Sequence, residues 1–296
     1  MNLAAAAMPL LGAAAANVEY SIDHRPGVHG ITVPLRGAIH AELGRVAAAA
    51  GFPGTWLSTV SRLLDAMLPD TVLLRIDTDG LRIGALTAYL RFTREPEAAT
   101  LQALLAAASR LAAQPAPLAA LAQALRCPGA RGLGVRTGVD GAERLSVYFR
   151  VERDLQSFGA DTVRDLAAVF GWPGAHCAEL AQALRALHPG GSVGVIGTDL
   201  DAGGAPQTLK CDPANVPLAR ALPFLLAHGA DTERCLALCR TLRARTLSYL
   251  GVKYDATGFA GWRAYFSCRP HGPSRNGQPA LLTDTRGSAA QRMPHY

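Results

Sequence analysis

Polar and apolar residues alternate along four stretches of the chain. These are LLRIDTDGLRIGALTAYLRF at 73–92, LGVRTGVDGAERLSVYFRV at 133–151, VGVIGTDLDAGGAPQTLKCD at 193–212 and LGVKYDATGFAGWRAYFSC at 250–268. Each has two runs of period two around a Gly- or Asp-rich turn, the pattern of a β-hairpin. A looser fifth copy, NVEYSIDHRPGVHGITVPLR, occupies 17–36. Between the hairpins lie stretches rich in Ala, Leu and Arg at 37–69, 95–131, 152–191 and 213–248. They are interrupted at Gly51-Phe52-Pro53-Gly54, Pro115 and Pro117, Gly171-Trp172-Pro173-Gly174, and Gly229. Each is long enough for two helices. The repeating unit is therefore strand, strand, helix, helix, and five hairpins supply ten strands.

The two faces of these strands differ. In the second strands one face reads Leu86, Ala88, Leu90, Phe92, then Leu145, Val147, Phe149, Val151, then Trp262, Ala264, Phe266, Cys268. That apolar face is expected to lie under the helices. The opposite face carries Thr87, Tyr89, Arg91, Ser146, Tyr148, Arg150, Thr208, Lys210, Asp212, Arg263, Tyr265 and Ser267. The matching face of the first strands adds Arg75, Asp77, Arg136, Lys253 and Asp255. An open sheet with one wet face would show the same alternation. A solvated face, however, gives no reason for Tyr to recur at one position of three repeats, as Tyr89, Tyr148 and Tyr265, with Lys210 read as the fourth member. Arg75, Arg136 and Lys253 align in the same way. Closure also removes the exposed edges that sequential hairpins would otherwise present. The expected fold is thus α+β: a ten-stranded antiparallel β-barrel of five ββαα repeats inside an outer ring of helices, wide enough to hold a ligand.

Composition adds to this. The chain has 296 residues and is 49% hydrophobic, enough for a large core, with a net charge of +6. It lacks the basic blocks of nucleic-acid-binding arms. Its cations are 27 Arg and only two Lys, and both lysines, Lys210 and Lys253, fall on the inward face. Six Cys occur without a CxxC pair and are read as reduced thiols of a cytoplasmic protein. Residues 1–16 form an apolar lead without the positive n-region of a signal peptide and too short to span a bilayer. The barrel domain is placed at 17–270, and 271–296, rich in Gly, Pro, Ser and Arg, as a loose tail.

Inward cations with inward tyrosines suit one kind of chemistry. Arg and Lys hold phosphate oxygens, and tyrosine faces stabilise a cation. A ligand with an anionic end and a developing carbocation, such as an allylic diphosphate, matches both. Mg²⁺ is expected to accompany the diphosphate rather than to sit in a protein-only cluster, because no DDxxD-like run occurs. Glu19, in an alternating strand with Ser21 and Asp23 on its face, is the candidate general base.

These residues resemble the ABBA prenyltransferases, and most of all the cyanobactin-type peptide-modifying members. The segments that carry the resemblance are NVEYSID at 17–23, LGVRTGVDGAERLSVYFRV at 133–151, SVGVIGTDLDAGGAPQTLKC at 192–211 and GFAGWRAYFS at 258–267; it spans about 17–270. The resemblance implies Glu19 as base, Arg75, Arg136, Lys210 and Lys253 as diphosphate ligands, and Tyr148, Tyr265 and Tyr89 as shields of the carbocation. The family's early Arg in the first return strand is missing from VHGITVPLR, which offers His29 or the late Arg36. Arg263, Asp77, Asp255 and His29 are further lumen candidates. Asp77, Asp212, Asp255 and Glu152 would pair with a cationic acceptor such as a guanidinium. The implied function is transfer of a dimethylallyl or geranyl group to a side chain of a ribosomal peptide, by a monomer or weak homodimer, without nucleic acid or membrane as a partner. Two alternatives stand beside it: a prenyltransferase of the same fold acting on a small phenol or indole, and a non-catalytic ligand-binding barrel.

Overall fold

A computed structural model describes residues 18–80, 82–92, 95–109, 115–127, 129–154, 160–187, 192–242 and 244–268. The lead at 1–16 and the tail at 271–296 lie outside the described residues. Ten strands form five hairpins: β1 (Val18–Asp23) with β2 (Val28–Leu35), β3 (Thr71–Asp79) with β4 (Arg82–Arg91), β5 (Gly132–Gly138) with β6 (Glu143–Asp154), β7 (Ser192–Leu200) with β8 (Leu209–Pro217), and β9 (Thr246–Asp255) with β10 (Gly258–Cys268). Every strand is antiparallel to both neighbours, and β1 pairs with β10, Ser21 opposite Tyr265, to close the barrel.

Helix pairs fill the gaps between hairpins: α1 (Ile39–Ala50) and α2 (Gly54–Met67), α3 (Ala98–Ser109) and α4 (Pro115–Ala124), α5 (Ala160–Phe170) and α6 (Gly174–Leu187), α7 (Leu218–Ala227) and α8 (Thr232–Leu242). Two of the inter-helix corners repeat one device. Gly51 ends α1 and Gly171 follows α5 with φ of 70° and 66°, a left-handed conformation natural to glycine. The next residue, Phe52 or Trp172, is buried, and proline then leads into the following helix. Pro115 opens α4, as suits a first-turn position, where the sequence places the division between the two helices. β8 runs past the expected hairpin end to Pro217. Val216 and Pro217 pair with Leu247 and Thr246 of β9, so the segment stays extended despite its prolines.

The main core lies between barrel and helices. Leu86, Ala88, Leu90, Val147, Phe149, Trp262, Ala264 and Phe266 all point into it and are buried, as the alternation predicts. Trp56 of α2 is fully buried there and donates its indole N–H to the Val135 carbonyl at 2.9 Å. Trp56→Phe keeps most of the apolar contact but removes that hydrogen bond. The expected loss is about 2 kcal/mol, read from urea denaturation. Among the described residues no helix is long and apolar enough to cross a membrane.

Candidate active site: three rings of side chains in the barrel lumen

Strand pairing sorts the inward residues into three rings, each with one level from every hairpin. The level nearest the turns holds Asp23, Asp77, Arg136, Asp199 and Lys253. The next holds Ser21 opposite Gly30, Arg75 opposite Thr87, Gly134 opposite Ser146 and Gly197 opposite Lys210, with Gly251 opposite Arg263. The level nearest the helix connections holds Glu19 with Thr32, Leu73 with Tyr89, Gly132 with Tyr148 and Tyr249 with Tyr265, and Asp212 takes this level in the fourth hairpin. Two expectations are corrected here. Asp212, not Lys210, occupies the tyrosine position, and Arg75 lies one level deeper than Arg136 and Lys253. Hairpin loops differ in length, so counting from the turn slips by two residues, a slip that leaves the face unchanged.

The turn-side ring and the middle ring form two ionic clusters. Asp77 accepts from Arg75 Nε at 2.7 Å and from Arg263 Nη1 at 3.1 Å, and it also pairs with Arg136. Burial alone would raise the Asp77 carboxyl, but the three guanidiniums outweigh it and hold the group well below the usual carboxylate range. Arg75, only 1% exposed, reaches on to Ser21 Oγ at 2.6 Å, with its guanidinium carbon 5.3 Å from the Tyr265 ring centre. Arg263 Nε also donates to Asp23 at 3.0 Å. In the second cluster Asp199 accepts from Ser146 Oγ at 2.6 Å and Lys253 Nζ at 3.0 Å, and pairs with Lys210. Lys210 Nζ lies 5.9 Å from the Tyr148 ring centre. Burial draws its ammonium below the ordinary lysine value, against the pull of Asp199.

The aromatic ring is seated on bare backbone. A Cβ on Gly197 would stand 2.7 Å from the Tyr148 ring, and one on Gly134 would stand 3.2 Å from Tyr148 and 3.3 Å from Tyr89. Tyr89 and Tyr148 meet edge to face at 5.7 Å, and Tyr249 and Tyr265 at 6.3 Å. Burial raises the phenols of Tyr148 and Tyr265, so both stay neutral. Glu19, 6% exposed, completes this level. Burial pushes its carboxyl up to about 7, against the charge of Arg75 and a 3.4 Å hydrogen bond donated by Ser248. These groups border one cavity of about 400 Å³ that reaches from His24 and Arg25 at the turn end to Arg91 and Arg131 at the helix end.

Of the residues singled out from sequence, Glu19, Arg75, Arg136, Lys210, Lys253, Tyr89, Tyr148, Tyr265 and Arg263 all line this cavity, and Asp77 bonds to its guanidiniums. Two others do not join them. His29 faces the helices, because Gly30 and Thr32 are the inward residues of β2; it bonds to Tyr20 and to Arg234 of α8. Asp255 caps its own turn, accepting from Thr257 N at 2.8 Å and Thr257 Oγ1 at 2.6 Å. Asp199 escaped the sequence reading. Its signal was present in the alternation Val195, Gly197, Asp199, but the glycine in the middle masks the polar stripe.

No model of a known family matches the sequence, and no curated protein matches it. Solved structures do. The 5-dimethylallyltryptophan synthase of Streptomyces coelicolor is 19% identical with a TM-score of 0.57, covering 85% of this chain and 81% of that one. The 6-dimethylallyltryptophan synthase of Micromonospora olivasterospora, in complex with DMASPP and Trp, is 15% identical with a TM-score of 0.58, covering 85% and 81%. NotF, in complex with brevianamide F and DMSPP, is 14% identical with a TM-score of 0.57, covering 86% and 80%. The chain has the ABBA prenyltransferase barrel fold. Within this ABBA barrel, the described residues contain no group of three His, Cys, Asp or Glu side chains arranged to hold a metal. Asp77 and Asp199, the carboxylates best placed to do so, are already engaged by guanidinium and ammonium groups. The donor set does not fit a protein-bound Mg²⁺.

Proposed function

We propose that this protein is a prenyltransferase that moves an allylic group from its diphosphate to a small aromatic acceptor of the indole or phenol kind. The observation that carries the reading is the stacking of a tyrosine level directly on a cationic level inside one cavity. Lys210, Lys253 and Arg136 keep 22%, 34% and 29% of their side-chain surface exposed and would take the diphosphate. Arg75 is shut beneath Asp77 and serves to position it. The diphosphate would displace Asp199 and Asp77 as the partners of cations those carboxylates hold in place. Breaking the C1–O bond leaves diphosphate on the cations and an allyl cation among the faces of Tyr89, Tyr148 and Tyr265, neutral rings that stabilise it without trapping it. A ring carbon or nitrogen of the acceptor then bonds to C1. The proton it loses passes to Glu19, whose carboxyl is poised near neutrality.

A cavity of about 400 Å³ suits a short prenyl chain with a single aromatic ring system. The fold neighbours named for dimethylallyltryptophan point the same way. A small acceptor therefore takes precedence over the ribosomal peptide of the cyanobactin-type resemblance.

The test is an incubation with dimethylallyl and geranyl diphosphate against tryptophan, tyrosine, a cyclic Trp dipeptide and a linear Trp- and Arg-containing peptide, read by mass gain. Prenylated indole or phenol is expected. Turnover of the linear peptide alone would return the reading to peptide modification, and no turnover of any acceptor would sink it. Because the counter-charge comes from Arg and Lys, turnover is expected to survive excess EDTA within about twofold, whereas loss of a required metal ion would cost several kcal/mol of barrier.

A further inference from the structure

Asp212 stands apart from the other lumen aspartates. Asp77 and Asp199 hold two or more cations each, and Asp23 holds Arg25 and Arg263. The Asp212 carboxylate makes no hydrogen bond or ion pair within the described residues, although it lines the cavity. It takes the position filled by Tyr89, Tyr148 and Tyr265 in three other hairpins. Room for it comes from Gly251 on the neighbouring strand: a Cβ there would stand 2.7 Å from Asp212 Oδ1 and 3.5 Å from the Tyr265 ring edge. The carboxyl thus borders the gap beside Tyr265, in the ring that also contains Glu19. Its field is felt at Glu19, Tyr148 and Tyr265. Burial lifts its acid constant to about 6, against the charges of Lys210, Arg75 and Arg263, so it is mainly ionised at pH 7.5.

Asp212 is half-buried, and its carboxylate faces the cavity without a protein donor, which leaves it to bond with a ligand held there. The diphosphate is anionic and is repelled by it. An acceptor bearing an ammonium or guanidinium group supplies the missing donor, and does so best once the diphosphate has neutralised Lys210 and Lys253. We propose that Asp212 is a specificity-determining residue that selects acceptors carrying a cationic nitrogen group beside the aromatic ring. This inference rests on the prenyl-transfer reading above and refines its acceptor.

The test compares tryptamine, which is cationic, with N-acetyltryptamine, which is neutral, on the full chain loaded with a dimethylallyl thiolodiphosphate. Binding is read by calorimetry and turnover with the authentic diphosphate by mass. Wild type is expected to bind tryptamine at least tenfold more tightly. Asp212→Asn is expected to reduce that preference to within threefold, while thiolodiphosphate affinity holds or rises because a negative charge has left the cationic lumen. Asp212→Tyr, which restores the repeat pattern, is expected to lose the preference as well and guards against a folding defect peculiar to the amide. Equal affinity of wild type for the two indoles, or a preference that persists in both variants, overturns the role of Asp212. Prenylation of both indoles in that case leaves the transferase reading standing. Failure of wild type to bind either indole overturns the role of Asp212, and absence of prenylation across the acceptor panel overturns the transferase reading.

Discussion

Glu19→Gln is expected to lower prenyl turnover at least 100-fold at pH 8 while binding of the prenyl diphosphate persists. Removing a positioned general base typically costs about 10²–10⁴ in rate, and the amide fills the same space. Wild-type turnover should rise with pH through about 7, where the buried carboxyl loses its proton and becomes competent as a base. The stability effect runs the other way. The folded carboxyl titrates at about 7 against 4.5 in the open chain, so the folded state binds the extra proton between these values. Stability therefore falls as pH rises across that window, by about 3 kcal/mol for this group when the shift is converted at 1.36 kcal/mol per unit. The variant, with nothing to ionise, should melt above wild type at pH 8.5 and lose that advantage at pH 4.5. Thermal melts across pH together with steady-state rates check both halves. Wild-type-like turnover by Glu19→Gln would falsify the base assignment.

Asp77→Ala is expected to destabilise the barrel by about 3–5 kcal/mol, the cost of removing one partner from a buried ionic cluster. Three guanidiniums converge on this carboxylate, and one of them, Arg75, is sealed from water. Without Asp77, Arg75 and Arg136 lose their carboxylate and Arg263 keeps only Asp23, at the closing seam, since Arg263 lies on β10 and Arg75 bonds to Ser21 of β1. The contribution also has a pH signature. The folded carboxyl is held below its ordinary value of 3.8, so its stabilisation is complete above that pH and is lost as pH falls through the lower folded value. Urea titrations of both proteins at pH 7 and pH 3 would show the difference narrowing with acid. An unchanged midpoint at pH 7 would mean that the cluster is not a structural clamp.

Much of the barrel is legible along the chain because two periodicities do separate work. Period-two alternation in 73–92, 133–151 and 250–268 marks strands with one wet and one dry face, and the Ala/Leu-rich stretches between them mark helices. The GFPG and GWPG corners show where α1 gives way to α2 and α5 to α6. Which side chains point inward follows from alternation alone, so Tyr89, Tyr148, Tyr265, Lys210 and Lys253 are found from sequence.

Alternation fixes the face but not the level, because a shift of two residues returns a side chain to the same face. Loop lengths differ between hairpins, and only the pairing of each strand with its neighbours decides which residues share a ring. That pairing moves Asp212 into the tyrosine level, sets Arg75 deeper than Arg136, and turns His29 toward α8. The ion pairs are likewise invisible along the chain. Asp77 meets Arg136 and Arg263, and Asp199 meets Lys253, across 59, 186 and 54 residues of sequence separation. Such contacts exist only once closure of β1 on β10 brings strands that are distant in sequence around one lumen. The sequence by itself determined a closed barrel with a basic, tyrosine-lined interior. The tertiary structure decided which cations stay accessible and which carboxylates are neutralised, and among the described residues it leaves Glu19 and Asp212 as cavity-lining acids without an ion pair.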